Sequence, residues 1–146
     1  MKDATRNHRR GVIAAGGLLV AATLGACGGK ALCEAQGGPF KGAIPDGPAK
    51  EIVALLPKGT AVCFVRADKD VSIQVEAPDK SVAKDVGLAI MKAGWQSTGP
   101  IGGKPDDDTS FTLGLERRDG ERGSRVVVVG GDIGGLWNVG LTIKSW

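Results

Sequence analysis

Val71-Ser72-Ile73-Gln74-Val75-Glu76-Ala77 runs straight into Pro78-Asp79-Lys80-Ser81-Val82-Ala83-Lys84-Asp85-Val86-Gly87-Leu88-Ala89-Ile90-Met91-Lys92-Ala93, and the apolar period changes at the proline. Before Pro78, Val71, Ile73 and Val75 alternate with Ser72, Gln74 and Glu76, the period of two that gives a strand one apolar and one polar face. After it, Val82, Val86, Ala89, Ile90 and Ala93 recur at helical spacing, with Lys80, Lys84, Asp85 and Lys92 between them. The spacing predicts a helix over Ser81–Ala93. Either Asp79 or Ser81 can cap its free amides, and Gly94 stands where the chain must turn left-handed at its end. Strand and helix each have one face to bury, so a sheet with a helix laid on it is the expected architecture.

Upstream, Ala61 to Arg66 is a short run rich in Val and Phe, bounded by Lys58-Gly59 and Asp68-Lys69-Asp70, which suits a strand joined to Val71–Glu76 by a charged hairpin turn. Downstream, Gly94-Trp95-Gln96-Ser97-Thr98 reads as a short strand leaving the helix, with Trp95 as core filler at the corner. Gly99 to Thr109 carries no hydrophobic pattern. Three further strands follow: Phe111, Leu113 and Leu115 alternate with polar or small residues; Arg125 to Val129 is β-branched; Trp137, Val139, Leu141 and Ile143 alternate with Asn138, Gly140, Thr142 and Lys144. Turns are expected at Asp119–Gly123 and at the glycine-rich Gly130–Gly135. The resulting expectation is an α+β fold, an antiparallel sheet of about five strands in the order ββαβββ with one helix on one face, plus the short Trp95 strand as an optional extra. Ser72, Gln74, Thr112, Glu116, Thr142 and Lys144 would lie on the solvated face. Strict alternation from Ile143 puts Trp146 on that polar side as an exposed contact point, unless a bulge or a frayed end turns it away.

Toward the amino terminus the pattern thins. Ala49 to Leu56 suits a short helical turn stopped by Pro57. Cys27 to Pro48 is punctuated by Gly28-Gly29, Gly37-Gly38-Pro39 and Pro45-Asp46-Gly47-Pro48, the composition of a flexible tether. Before it, Lys2, Arg6, Arg9 and Arg10 precede an uncharged run from Gly11 to Ala26, the layout of an export signal. That run is short of the ~20 residues a membrane span needs.

The run ends in Leu24-Gly25-Ala26-Cys27, which resembles the lipobox of bacterial lipoproteins. The resemblance covers the first 27 residues and implies diacylglycerol transfer to the Cys27 thiol, cleavage before it, and a stable membrane anchor. Gly28 rather than Asp after the cysteine resembles outer-membrane sorting in cells with two membranes. The expected division is a signal peptide over 1–26, a tether over 27–48 and one small domain over 49–146.

Removing that leader changes how charge and cysteines are read. The four leader cations and Asp3 leave with it, so the 19 basic and 16 acidic residues become 15 and 15. A balanced mature chain gives no electrostatic reason to bind nucleic acid. With Cys27 lipidated, Cys33 and Cys63 remain as a pair, and a disulfide between them would fasten the tether to the first strand.

The only histidine, His8, lies in the leader, and the chain has no tyrosine. Histidine-dependent nucleophilic catalysis and imidazole metal sites are therefore excluded from a mature chain. Asp106-Asp107-Asp108 lacks the alternating spacing and distal Glu of a calcium loop, and Gly102-Gly103-Lys104 is followed by Pro105 rather than the Ser or Thr of a phosphate loop. Glu116, Arg117, Arg118, Asp119, Glu121, Arg122 and Arg125 read as a solvated, mixed-sign hairpin. No catalytic residue, cofactor or metal is expected. The expectation for function is a membrane-anchored envelope module that binds a protein partner or serves as a scaffold; the alternative is a small-molecule or glycan binder using Trp95, Trp137 or Trp146. An enzyme would have to rely on Glu76, Glu116 or Asp132.

Overall fold

In the computed structural model, which describes residues 31–99 and 110–146, the elements on either side of Pro78 form as their periodicities require. The element order is α1 (Leu32–Ala35), α2 (Pro48–Ala54), β1 (Ala61–Ala67), β2 (Val71–Ala77), α3 (Lys80–Lys92), β3 (Gln96–Gly99), β4 (Ser110–Asp119), β5 (Arg122–Ile133) and β6 (Leu136–Ser145). The leader, Cys27 and its lipobox, Gly102-Gly103-Lys104 and Asp106-Asp107-Asp108 lie outside the described residues.

The strands form one six-stranded antiparallel sheet in the order β1-β2-β6-β5-β4-β3. The fold is thus α+β: the optional short strand after Trp95 forms and makes the sixth, α2 forms where a short helical turn was expected, and the short α1 was not expected. The sixth strand, β3, is Gln96-Ser97-Thr98-Gly99 at the sheet edge, and its first three residues are exposed. A four-residue edge strand has no face to bury, so it leaves no apolar alternation to read.

The core lies between the sheet and the α2/α3 layer. Ile73, Val75 and Ala77 of β2, Leu115 of β4, Val126 and Val128 of β5, and Trp137, Val139, Leu141 and Ile143 of β6 all point into it, against Ala49 and Ile52 of α2 and Ala83, Val86 and Ile90 of α3. Asp79 is the residue that caps α3, its Oδ1 accepting from Val82 N at 2.9 Å. The buried stripe of α3 is Ala83, Val86, Gly87 and Ile90, rotated slightly from the expected one. Gly87 is the reason: a Cβ there would lie 2.9 Å from Leu113 Cδ2, so the glycine lets the helix approach β4 closely.

The glycine-rich stretch expected as a loop is mostly strand. β5 continues through Gly130, Gly131, Asp132 and Ile133, and only Gly134-Gly135, with φ of 65° and 88°, form the turn into β6. Gly130 makes room for the Phe111 ring, which any Cβ at 130 would strike; that ring stacks on Trp137 with centroids 6.1 Å apart. Glycine here is spacing for an aromatic pair rather than loop punctuation.

At the other edge, Cys33 and Cys63 form a disulfide. The β1/β2 register shifts between Val62 and Phe64, a bulge that takes Cys63 out of the ladder and turns it toward α1. Cys33 N donates to Glu76 Oε2 (3.2 Å), and Phe40 N donates to the Val62 carbonyl (2.7 Å), so the chain from Ala31 to Phe40 is held to β1 and β2.

Candidate functional site

Alternation along β2, β6, β5 and β4 presents a second sheet face away from α2 and α3. Its centre is made of small and polar residues: Ser72 and Gln74, Gly140 and Thr142, Val127 and Val129, Thr112 and Gly114. The Gln74 amide lies across Gly140, where a Cβ would come within 3.3 Å of Nε2. Among the described residues no helix covers the middle of this face, and Val129 is 47 % exposed.

Side chains become larger and charged at the end of the sheet where β4 turns into β5. Register puts Arg118 of β4 beside Gly123 of β5, and Gly123 pairs in turn with Trp146 through two backbone bonds, Gly123 N to Trp146 O (3.1 Å) and Trp146 N to Gly123 O (3.0 Å). The pairing continues to Trp146 without a bulge, so the indole stays on the polar face. It lies flat over Gly123, where any Cβ would collide with it, and remains 47 % exposed. The Arg118 guanidinium stands 5.9 Å from the ring centroid.

Glu116 organises the cations around this platform. Its Oε1 accepts from Arg118 Nε, and its Oε2 accepts from Arg125 at 2.8 Å. The hydrogen bonds from Arg118, then those from Arg125, hold its carboxyl below the ordinary carboxylate range. On the helix side of the same hairpin, Arg117 donates to both carboxylate oxygens of Glu51 (2.5 and 2.7 Å) and stacks over Trp95 at 4.7 Å. These bonds from Arg117 lower the Glu51 pKa despite partial desolvation. The Trp95 indole N–H adds weakly to that depression but makes no well-aligned hydrogen bond. The Glu51–Arg117 pair fastens α2 to β4 beneath the hairpin.

At this end of the sheet lies an open cleft of about 470 Å³, bounded by Pro48, Arg117, Arg118, Asp119, Arg122, Gly123, Ser124, Ser145 and Trp146, of which the register places Arg117, Asp119, Arg122, Ser124 and Ser145 on the α2 side and Arg118, Gly123 and Trp146 on the opposite face. The Ser124 and Ser145 hydroxyls are hydrogen-bonded to each other at 2.9 Å. Among the described residues Arg122 makes no ion pair.

Of the three tryptophans singled out from the sequence, Trp95 and Trp137 are interior, 2 % and 5 % exposed, and only Trp146 offers a face to solvent. Their burial follows from position: Trp95 closes the corner after α3, and Trp137 lies in the apolar register of β6. The hairpin charges, read from sequence as a solvated turn, are ordered in pairs around Glu116 and Glu51. No sequence signal pointed to the Glu51–Arg117 pair, whose members are 66 residues apart.

The three carboxylates open to an enzymatic reading are dispersed. Glu76 accepts from Cys33 N, Glu116 binds two arginines at the far end of the sheet, and Asp132 Oδ1 caps the last turn through Gly135 N (2.9 Å). Glu76 Oε lies close to both cysteine sulfurs, but those sulfurs are spent on the disulfide and leave no thiolate to join it around a metal.

A second surface feature is an apolar depression of about 270 Å³ formed by Leu88, Met91, Phe111 and Leu113, with Leu88 49 % and Met91 38 % exposed. Compared with known proteins, the chain matches no family model, no curated sequence and no solved structure.

Proposed function

We propose that this chain is an envelope lipoprotein, anchored through Cys27 and carrying a non-enzymatic interaction module. The observation that supports it most directly is the spacing of two cysteines. The lipobox cysteine precedes Cys33 by only six residues, and a lipid on Cys27 would leave Cys33 and Cys63 as the pair that is disulfide-bonded.

The uncovered sheet face supports the binding part of the reading. It offers a broad, flat surface of short side chains, while Glu76, Glu116 and Asp132 each already serve a structural partner. Within an anchored protein such a face suits a protein partner or scaffold contact in the envelope, in the outer membrane where two membranes are present. Intact mass and membrane fractionation of the full chain beside a Cys27→Ala variant test the anchor. Loss of residues 1–26 plus an acyl mass on the wild type alone, with the variant released from membranes, is expected. An unmodified wild-type mass would overturn it. For the module, affinity capture from native envelopes should return the same partner repeatedly, and capture abolished by charge placed at Val129 would locate the contact on this face.

A further inference from the structure

We infer that the partner of the uncovered sheet face is an acidic protein surface, apolar at its middle and carrying carboxylates over the end where β4 turns into β5. The inference rests on the interaction-module reading and names the chemistry of that module's partner.

Apolar side chains mark the surface. Among the described residues six large hydrophobic side chains are exposed, and register puts four of them, Phe64, Val129, Ile133 and Trp146, on this one face. The other two, Leu88 and Met91, belong to α3. Phe64 shares a rung with Gln74, Gly140 and Val129, and Trp146 lies against Gly123 at the far end. Exposed apolar groups gathered on one face signal a contact surface, and Trp and Arg are the residues that most often anchor one. From Gly123 to Gly131 along β5, and across β1, β2, β6, β5 and β4, the face covers a plane of roughly 600 Å². That approaches the ~800 Å² each partner contributes to a stable complex.

Charge sets the class of partner. Lys144, Arg125 and Glu116 are neighbours across one rung of this face, and Arg118 stands on the next, beside Trp146. Three cations thus answer to one carboxylate. Glu116 accepts from Nε of Arg118 and from a terminal nitrogen of Arg125, which orients both guanidinium groups and leaves the terminal nitrogens of Arg118 to fork a partner's carboxylate. Lys144 makes no ion pair among the described residues. An acidic surface supplies the missing charge at the place where the exposed indole offers an anchor.

Other occupants fit less well. A second copy laid on the face with its strands aligned would set these three cations against their own counterparts. Turned end for end, it would offer them Glu76, whose carboxylate already accepts from Cys33 N. An anionic bilayer, being a plane, would also meet the hairpin tips at this end, which carry Asp68, Asp70, Asp119 and Glu121. Trp146 is pressed flat on Gly123 instead of projecting, so its indole suits a partner's side chain rather than insertion among lipids. Both β5 and β6 are paired on each side, so the contact is made by side chains and not by an added strand.

The test places a photo-reactive benzoylphenylalanine in the full chain, either at Thr142, exposed on this face, or at Leu88 on α3, and cross-links each preparation within native envelopes. One protein joined repeatedly through position 142 is expected, with a cross-linked segment rich in Asp and Glu that hexaglutamate displaces at least tenfold better than hexalysine. Raising salt from about 0.1 M to about 1 M should lower the yield at least fivefold. The Arg118→Gln/Lys144→Glu variant should lower it as much, while Lys58→Glu, in the loop between α2 and β1, leaves it unchanged. Near-UV dichroism of the buried Trp95 and Trp137 reports that each variant is folded. A cross-linked segment without net negative charge, a yield indifferent to Arg118→Gln/Lys144→Glu, a second copy of this chain as the product, or phospholipid as the product would each overturn the assignment. A partner reached only from position 88 would overturn it while sparing the interaction module, whereas no protein captured from either position would sink both.

Discussion

Opening the Cys33–Cys63 disulfide should cost this domain about 3.6 kcal/mol. The bond closes a loop with a sequence separation of 30 residues, and the chain-entropy relation for that length gives about 12 cal/mol/K, or about 3.6 kcal/mol at 25 °C. For a folded unit of this size, each kcal/mol corresponds to roughly 4 °C, so reduction should lower Tm by about 10–15 °C. The structure also says where the loss falls. Cys63 occupies a bulge in β1, an edge strand, whereas the core is built on β2, β6, β5 and β4 with α3. Reduction should expose β1 and the segment from Ala31 to Gly47 first, while amides of β5 and β6 stay protected. Calorimetric melts with and without reductant measure the first effect, and hydrogen exchange of the reduced protein at low temperature measures the second. The Cys33→Ala/Cys63→Ala variant should fall further than the reduced wild type, because both side chains are buried. A Tm change under about 3 °C, or protection lost uniformly across the sheet, would refute the reasoning.

Gly130→Ala should destabilise by about 1–3 kcal/mol, since the new methyl meets the Phe111 ring stacked on Trp137, and adding Phe111→Leu should recover part of the loss in a urea melt. Asp79→Ala should cost about 1 kcal/mol through loss of the α3 cap while Ser81→Ala stays within about 0.5 kcal/mol; equal effects would mean that the cap has been misassigned. Glu51 has a folded pKa depressed chiefly by its hydrogen bonds from Arg117, so its contribution is fully present above the unfolded carboxylate range and is lost as pH falls through the lowered folded value. Both partners are more than a third exposed, which limits the Glu51→Gln loss at neutral pH to under about 1 kcal/mol. The gap between variant and wild type should close in acid, and a gap constant from pH 7 to strongly acidic conditions would contradict the pairing.

The sheet end near Trp146 shows how charged and aromatic groups are assembled here. Arg117 and Arg118 are neighbours in sequence, yet strand alternation sends one to Glu51 and Trp95 in the helix layer and the other to Glu116 and Trp146 on the open face. One hairpin thus ties down α2 on one side and carries the exposed indole on the other. Their neighbour across the turn, Arg122, is left to solvent.

Much of this architecture is local in origin and could be read along the chain. The change from period two to helical spacing at Pro78 reports which faces must leave water, and it placed β2, α3 and the core residues Ile73, Val75, Val86 and Ile90. Alternation did the same for β4 and β6, and removing Cys27 from the count left Cys33 and Cys63 to pair. What was hidden depends on partners distant in the chain. β3 could be read only as an optional short strand after Trp95, because it pairs along a sheet edge through its backbone and its side chains carry no alternation. Gly130 looks like a loop residue until Phe111 is seen to occupy the space that its missing side chain leaves. Glu51 meets Arg117 only because α2 packs across β4, and Trp146 becomes a platform only because Gly123 lies beneath it. Sequence periodicity encodes which residues are buried, since burial follows from the geometry of each element alone. Which charged and aromatic groups converge is decided by the order of strands in the sheet and by the packing of helices on it, and that information exists only once the chain has folded.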